Sequence, residues 1–245
     1  MKTIIQLLAE ELGCKEEYVN NVVTLLDEGN TIPFIARYRK EAHGAMDDTA
    51  LRTLETRLQY LRNLQQRRDE VKSAVEAQGK LTDELARSID NAATLAEVED
   101  LYRPYKQKRR TRATVAKEKG LEPLADAIFA QDRNGKAPEE LAKDFLNPDL
   151  GVETIEDALS GASDIIAERI SDDAELRKSL RARMQKSALC ESKAAKEDED
   201  SVYRLYYEFH QPVSKLQSHQ VLAINRGEKE GYLKVALDLD RMEAM

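Results

Sequence analysis

"LRTLETRLQYLRNLQQRRDEVKSAVEAQG", residues 51–79, decides the fold class. Leu51, Leu54, Leu58, Leu61, Leu64, Val71 and Val75 recur at spacings of 3, 4 or 7. That is the period of one helical face, and neither Gly nor Pro interrupts it before Gly79. Asp47 or Asp48 is the expected N-cap, because a short carboxylate can accept from the free N–H groups of a first turn. A long apolar stripe with charges on the other faces needs other helices to cover it. Leu54, Leu58 and Leu61 are therefore expected in a helix-packing core.

The flanks repeat the pattern. Upstream, "TIIQLLAEELG" places Ile4, Ile5, Leu8 and Leu12 on one face, and Gly13 can stop the helix. "KEEYVNNVVTLLDEG" does the same with Tyr18, Val22, Leu25 and Leu26. In "TIPFIARYRKEAHG", Pro33 suits a first helical turn, where its missing N–H is not needed. Phe34 and Ile35 are expected to face the first two helices, and Gly44 to supply a left-handed cap. Three such helices predict a helix-turn-helix-like bundle. Downstream, further helices are expected from Thr82, from the Thr94–Glu97 capping box, and in "TVAKEKG". Others are expected after Pro123 and Pro138, from Thr154, and from Asp172 or Asp173. "ESKAAKEDEDS" reads as a linker or exposed turn. "VYRLYYEF" reads as helical from Val202, Leu205, Tyr206 and Phe209, and Ser218 is the expected cap of "HQVLAINRG". Only "YLKVALDLD" alternates, with Leu233, Val235, Leu237 and Leu239 on one face. A lone strand leaves its backbone unsatisfied, so its partner is expected in further chain of a longer protein, with pairing inside these residues or with a second copy as the alternatives.

The expected class is all-α: a multi-helix array beginning with the helix-turn-helix-like bundle, with a short C-terminal β element. The boundaries read as 1–78 for the bundle and long helix, 79–190 for a helical middle region with a basic loop, and 191–245 for a linker, a Tyr-rich helix and the terminal strand. Composition agrees. The 245 residues are 34% charged with 5% aromatics and no Trp, a balance rich in helix formers. Cys14 and Cys190 lack a partner motif and read as reduced thiols. No signal peptide and no apolar run near the ~18 residues of a membrane span is present. A cytoplasmic protein without membrane partners is expected.

The chemistry of catalysis is missing. There is no P-loop, G-x-G-x-x-G, C-x-x-C or H-E-x-x-H. His43 reads as a surface turn residue beside Gly44. His210 and His219 can approach across a Pro212 turn, but two histidines without further ligands do not make a zinc site. Asp172, Asp173 and Glu197 to Asp200 read as caps and solvated charge. No enzymatic activity, catalytic residue, metal or cofactor is expected.

"LYRPYKQKRRTRAT", residues 101–114, stands apart. Arg103, Lys106, Lys108, Arg109, Arg110 and Arg112 follow one another with no acidic residue between them. Removing their +6 from a chain of net charge −8 leaves −14 on the rest. Lys and Arg neutralise phosphates, and rings such as Tyr102 and Tyr105 can stack on bases. The alternative is structural: the tyrosines anchor the loop and the arginines pair with carboxylates. Arg37, Arg39 and Lys40 form a second, weaker candidate cluster.

At these residues the sequence resembles the Tex family of bacterial transcription accessory proteins. "IPFIARYRKE", "VEDLYRPYKQKRRTRATVAKEKGLEPLA" and "SHQVLAINRGEKEGYLKV" are similar to three family stretches, in family order, between residues 32 and 235. Two departures stand out. "EAHGAMDD" replaces the usual "TGGLDE", and Gln220 stands where the family usually has an arginine. The resemblance implies the helical N-terminal region of a longer nucleic-acid-binding protein. Such a protein continues into a YqgF module of RNase-H-type fold, a helix-hairpin-helix region and a C-terminal S1 RNA-binding domain, none of them in these residues. The implied partners are nucleic acid, RNA or DNA and held weakly by this part alone, the further domains of the same protein, and the transcription machinery. The competing function is a purely structural helical scaffold that docks those modules or the transcription machinery.

Overall fold

A computed structural model of the chain describes residues 2–44, 46–107, 109–132, 135–196 and 201–239. Its contacts divide it into two units, Met1–Tyr105 and Lys106–Met245. Among the described residues it is mostly helical, with one small sheet near the C-terminus. No helix among them is long and apolar enough to cross a membrane.

The first unit holds α1 (Ile4–Leu12), α2 (Glu16–Asp27), α3 (Ile32–Tyr38), α4 (Lys40–His43), α5 (Asp48–Glu76), α6 (Asp83–Asn91) and α7 (Leu95–Tyr102). Local chemistry sets most of the ends. Thr3 and Gln6 close a capping box on α1, and Gly13 ends it in the left-handed region at φ 63°. Asp47 accepts from the Ala50 N–H at 2.7 Å to start α5. Thr82 and Thr94 cap α6 and α7. The expected box at Thr94 is half right: Glu97 reaches back to the Ala93 N–H at 2.7 Å, one residue earlier than the motif requires.

The spine is α5, about 44 Å long at the standard helical rise. The first half of its stripe, Leu51, Leu54, Leu58 and Leu61, is buried with Leu8, Val19, Val22 and Ile35 of α1 to α3. The second half, Leu64, Val71 and Val75, is buried with Ile89 and Val98 of α6 and α7. One uninterrupted periodicity thus serves two successive cores.

Two expectations fail in this unit. Phe34 does not join Ile35 in the core: Ile35 is fully buried, while Phe34 is 38% exposed. A seven-residue helix resting on α5 can bury one narrow stripe, and Ile32 and Ile35 fill it. His43 is not a surface residue. It is 4% exposed, and neither ring nitrogen has a hydrogen-bond partner among the described residues. The turn that tucks it in depends on Gly44. At φ 62°, ψ −126° it lies outside the expected left-handed cap, and a Cβ there would lie 2.8 Å from the Tyr18 ring.

The second unit holds α8 (Arg112–Glu118), α9 (Glu122–Phe129), α10 (Pro138–Ala142), α11 (Ile155–Asp172), α12 (Ala174–Ser187), β1 (Leu189–Ala194), β2 (Glu208–Pro212), α13 (Ser218–Lys229) and β3 (Leu233–Asp238). Its helical core packs small residues: Ala113 and Ala116 of α8 against Ala158 and Ala162 of α11. A Cβ on Gly161 would overlap Leu121 Cδ1 and press on Ala116, so the helices approach closely there because that position is glycine. Thr154 caps α11 with a full box through Asp157, and Asp173 caps α12.

The C-terminal sheet corrects the sequence reading most. Its order is β2-β1-β3, with both pairings antiparallel. The partner of the alternating segment is within the chain: Leu233 pairs with Ala194, and Leu237 with Cys190. Part of the expected linker, Glu191 to Ala194, is therefore central strand. The expected Tyr-rich helix is a single 3-10 turn, Arg204–Tyr206, followed by β2. Val202 and Leu205 are 81% and 85% exposed, so the four residues at helical spacing form no buried helical face, and eight residues are too few for a period to decide the element. Ser218 is not the cap of α13. Gln217 is, and its box partner is Gln220, whose side chain accepts from the Gln217 N–H at 2.9 Å.

Candidate nucleic-acid interface

The candidate cations fall on both units, and each unit positions its own. In the first, α3 carries Arg37 and ends at Arg39, which has the irregular φ −128°, ψ 41° that separates it from α4 and Lys40. Burying Ile32 and Ile35 turns the rest of this short helix outward. Phe34 and Tyr38, one turn apart, stand side by side with ring centroids 5.3 Å apart and planes tilted by 45°. The Arg39 guanidinium lies 5.9 Å from the Phe34 ring centroid. Pro33, Phe34, Ala36, Arg37, Tyr38, Lys40 and Asp48 line an open cleft of about 760 Å³. Arg37 and Lys40 form no ion pair among the described residues, and Arg39 reaches only Glu41, at 4.0 Å. Sequence reading singled out the three cations and missed the two rings. Their signal was the four-residue spacing beside basic residues.

Arg103 belongs to the same unit. It opens the 3-10 turn Arg103–Tyr105 at the end of α7 and is exposed. Its neighbours Tyr102 and Tyr105 turn inward, half-buried against the Leu64, Val71 and Val75 cluster. The Arg67 guanidinium sits 5.5 Å from the Tyr102 ring centroid, and the Tyr105 carbonyl accepts from Gln78 Nε2 at 3.0 Å. These tyrosines anchor the chain, as the structural alternative expected.

The second unit begins at Lys106 and carries Arg109, Arg110 and Arg112; Lys108 lies outside the described residues. All four described cations are exposed. Thr111 holds the segment in place: its hydroxyl caps α8 through the Thr114 N–H at 3.1 Å and donates to Glu168 of α11 at 3.0 Å. Arg110 pairs with Glu118 at 2.7 Å, both partners mostly exposed. Arg109 and Arg112 have no ion pair among the described residues.

Other arginines behave differently. Arg57 grips Glu11 with two hydrogen bonds of 2.7 and 2.8 Å, and Arg62 grips Asp27 likewise. Each guanidinium holds its carboxylate below the ordinary range. The remaining candidates for chemistry disperse. His210 is on β2 and His219 on α13, and no cluster of three His, Cys, Asp or Glu side chains suited to a metal occurs among the described residues. Burial pushes the Cys14 and Cys190 thiols up, away from the reactive thiolate. Asp173 serves as a cap, while Glu197 to Asp200 lie outside the described residues.

Two family models match. The Tex-like protein N-terminal domain covers residues 2–76, and the Tex central region-like model covers residues 133–245. The chain belongs to the Tex family. Curated relatives are similar along nearly all of it. The uncharacterized protein YdcI of Bacillus subtilis is 49% identical over 95% of this chain and 33% of its own length. The transcriptional accessory protein Tex of Neisseria gonorrhoeae is 42% identical over 96% of this chain and 31% of its own. The human S1 RNA-binding domain-containing protein 1 is 30% identical over 96% of this chain and 24% of its own. The chain thus spans a third or less of the length of these relatives. The α3 cluster lies inside the matched Tex N-terminal domain, whereas residues 103–112 lie between the two matched regions. Gln220 also donates to Gln211 Oε1 at 3.2 Å, so it ties the start of α13 to β2.

Proposed function

We propose that this chain is a nucleic-acid-contacting, non-catalytic part of a transcription accessory protein, one that touches phosphates and holds other domains in place. The observation that carries the reading is the state of Arg109 and Arg112. They are exposed and unpaired among the described residues of a chain with 46 carboxylates, where ion-pair partners are plentiful. Thr111 fixes the backbone between them, so these charges are presented by an ordered segment. The names of the Tex and S1-containing relatives support the same class of partner. The scaffold component is favoured by Tyr102 and Tyr105, which tie the segment's start into a core.

The net charge of −8 opposes a polyanion, so the cations act locally, within the ~8 Å Debye length at physiological salt. A labelled oligonucleotide titrated at several salt concentrations tests this. With a few phosphates neutralised, the slope of log affinity on log salt is expected near about −2 to −3. Replacing Arg109, Arg110 and Arg112 with Gln weakens binding alike for every sequence, because phosphate contacts carry no base information. It also flattens the slope by roughly 0.9 for each phosphate no longer neutralised. The oligonucleotide is expected to be recovered intact, with or without divalent metal. Unchanged affinity and slope in a folded triple variant would leave the scaffold function alone.

A further inference from the structure

We propose that the outer face of α3 is a base-stacking site for single-stranded nucleic acid, distinct from the basic residues 103–112; this rests on the nucleic-acid reading above. Phe34 and Tyr38 are 38% and 60% exposed although they sit on a helix whose other face is fully buried. Aromatic rings lose most by remaining in water, and here two of them share one patch. They line the same cleft as Arg37 and Lys40. A cleft with aromatic walls and cations on its rim matches what single-strand binders use: rings for base faces and positive charge for the backbone. Arg39, close to Phe34, adds a planar cation to the same surface.

The class of ligand follows from what a ring can reach. In a duplex both faces of a base are covered by its neighbours, so only an unstacked base can lie against Phe34 or Tyr38. An acidic peptide would satisfy the cations but leave the rings without flat partners. Asp48, the carboxylate in the cleft, is already engaged by Arg52 at 2.7 Å and does not cancel Arg37 or Lys40. Every base has a π-face, so the site is expected to tolerate different sequences.

The chain contains no Trp, so Phe34→Trp places its single indole on this face, where its emission can be excited apart from that of the tyrosines. Titrating that variant with a homopyrimidine single strand is expected to quench its emission. Adding Tyr38→Ala is expected to weaken binding about tenfold, within the range for losing one base stack. Tyr38→Leu serves if circular dichroism shows that the alanine variant unfolds. Arg109, Arg110 and Arg112 changed to Gln should lower affinity yet leave the quench. If anisotropy shows the strand binding while emission is unchanged and Tyr38→Ala binds like its parent, the stacking site is wrong and the wider reading stands. If neither signal shows binding, both fall. A duplex that quenches as strongly as the strand overturns the single-strand assignment. Quenching by a Glu-rich peptide and not by the strand makes the face a protein-docking surface instead.

Discussion

The arginines of α5 and the cations of α3 stand in the same unit and meet opposite fates. Along α5, Arg57 and Arg62 bind Glu11 and Asp27 in two-pronged geometry, and Arg67 binds Glu99 at 2.6 Å and Glu70 at 2.9 Å. The bonds to Glu11, Asp27 and Glu99 tie the spine to α1, α2 and α7. On α3 and just beyond it, Arg37 and Lys40 form no ion pair among the described residues and share their surface with two rings. The difference teaches how to sort basic residues in an acidic chain. Where a carboxylate on a packed neighbour lies opposite, the guanidinium is part of the fold. Where the neighbours are aromatic and the carboxylates are spoken for, the charge remains available to something outside.

The sharpest way to break this comparison is to attack the core beneath the paired arginines. Leu58 is 4% exposed at the centre of the first cluster. Leu58→Ala is expected to cost about 2–5 kcal/mol in chemical denaturation. A change below ~0.5 kcal/mol, the size of a surface effect, would show that α5 is not the spine.

A smaller effect separates the two kinds of arginine. Arg57→Gln removes a pair in which both side chains are more than a third exposed. Its cost is expected to be at most about 1 kcal/mol, with nucleic-acid affinity unchanged. Arg37→Gln should do the reverse: stability within ~0.5 kcal/mol of the parent, and weaker binding of single strands. Equal stability losses in the two variants would erase the distinction.

The smallest expected effect is a pH dependence. Arg57 and Arg62 depress the Glu11 and Asp27 carboxyls in the folded state. Their stabilisation is therefore complete above the ordinary carboxylate pKa of about 4 and is lost as pH falls through the depressed values. Denaturation midpoints should decline below about pH 4, and Arg57→Gln should reduce that decline.

Much of the fold is legible in the sequence because helices are local. Thr3, Asp47, Thr82, Thr94, Thr154 and Asp173 each cap a helix through a residue three positions on, and the α5 stripe repeats within one or two turns. The family could be read there too, because its blocks are contiguous. The sheet was hidden for the opposite reason. Its ladder joins Leu189 to Asp238 and Leu189 to Pro212, so β1 looks like polar linker until partners distant in sequence arrive. The candidate site divides the same way. The concentration of Arg and Lys between residues 103 and 112, and at 37 to 40, is a property of the sequence. Which of those charges is paired was decided only by packing: Glu118 reaches Arg110 and not Arg109 or Arg112. Packing also decided that Tyr102 and Tyr105 turn inward, that Phe34 and Tyr38 turn outward, and that His43 is buried. A helix presents several faces to its surroundings, and its own residues do not say how wide a stripe the neighbours will cover. On α3 that stripe is only wide enough for Ile32 and Ile35, which is why its rings face outward beside Arg37 and Lys40.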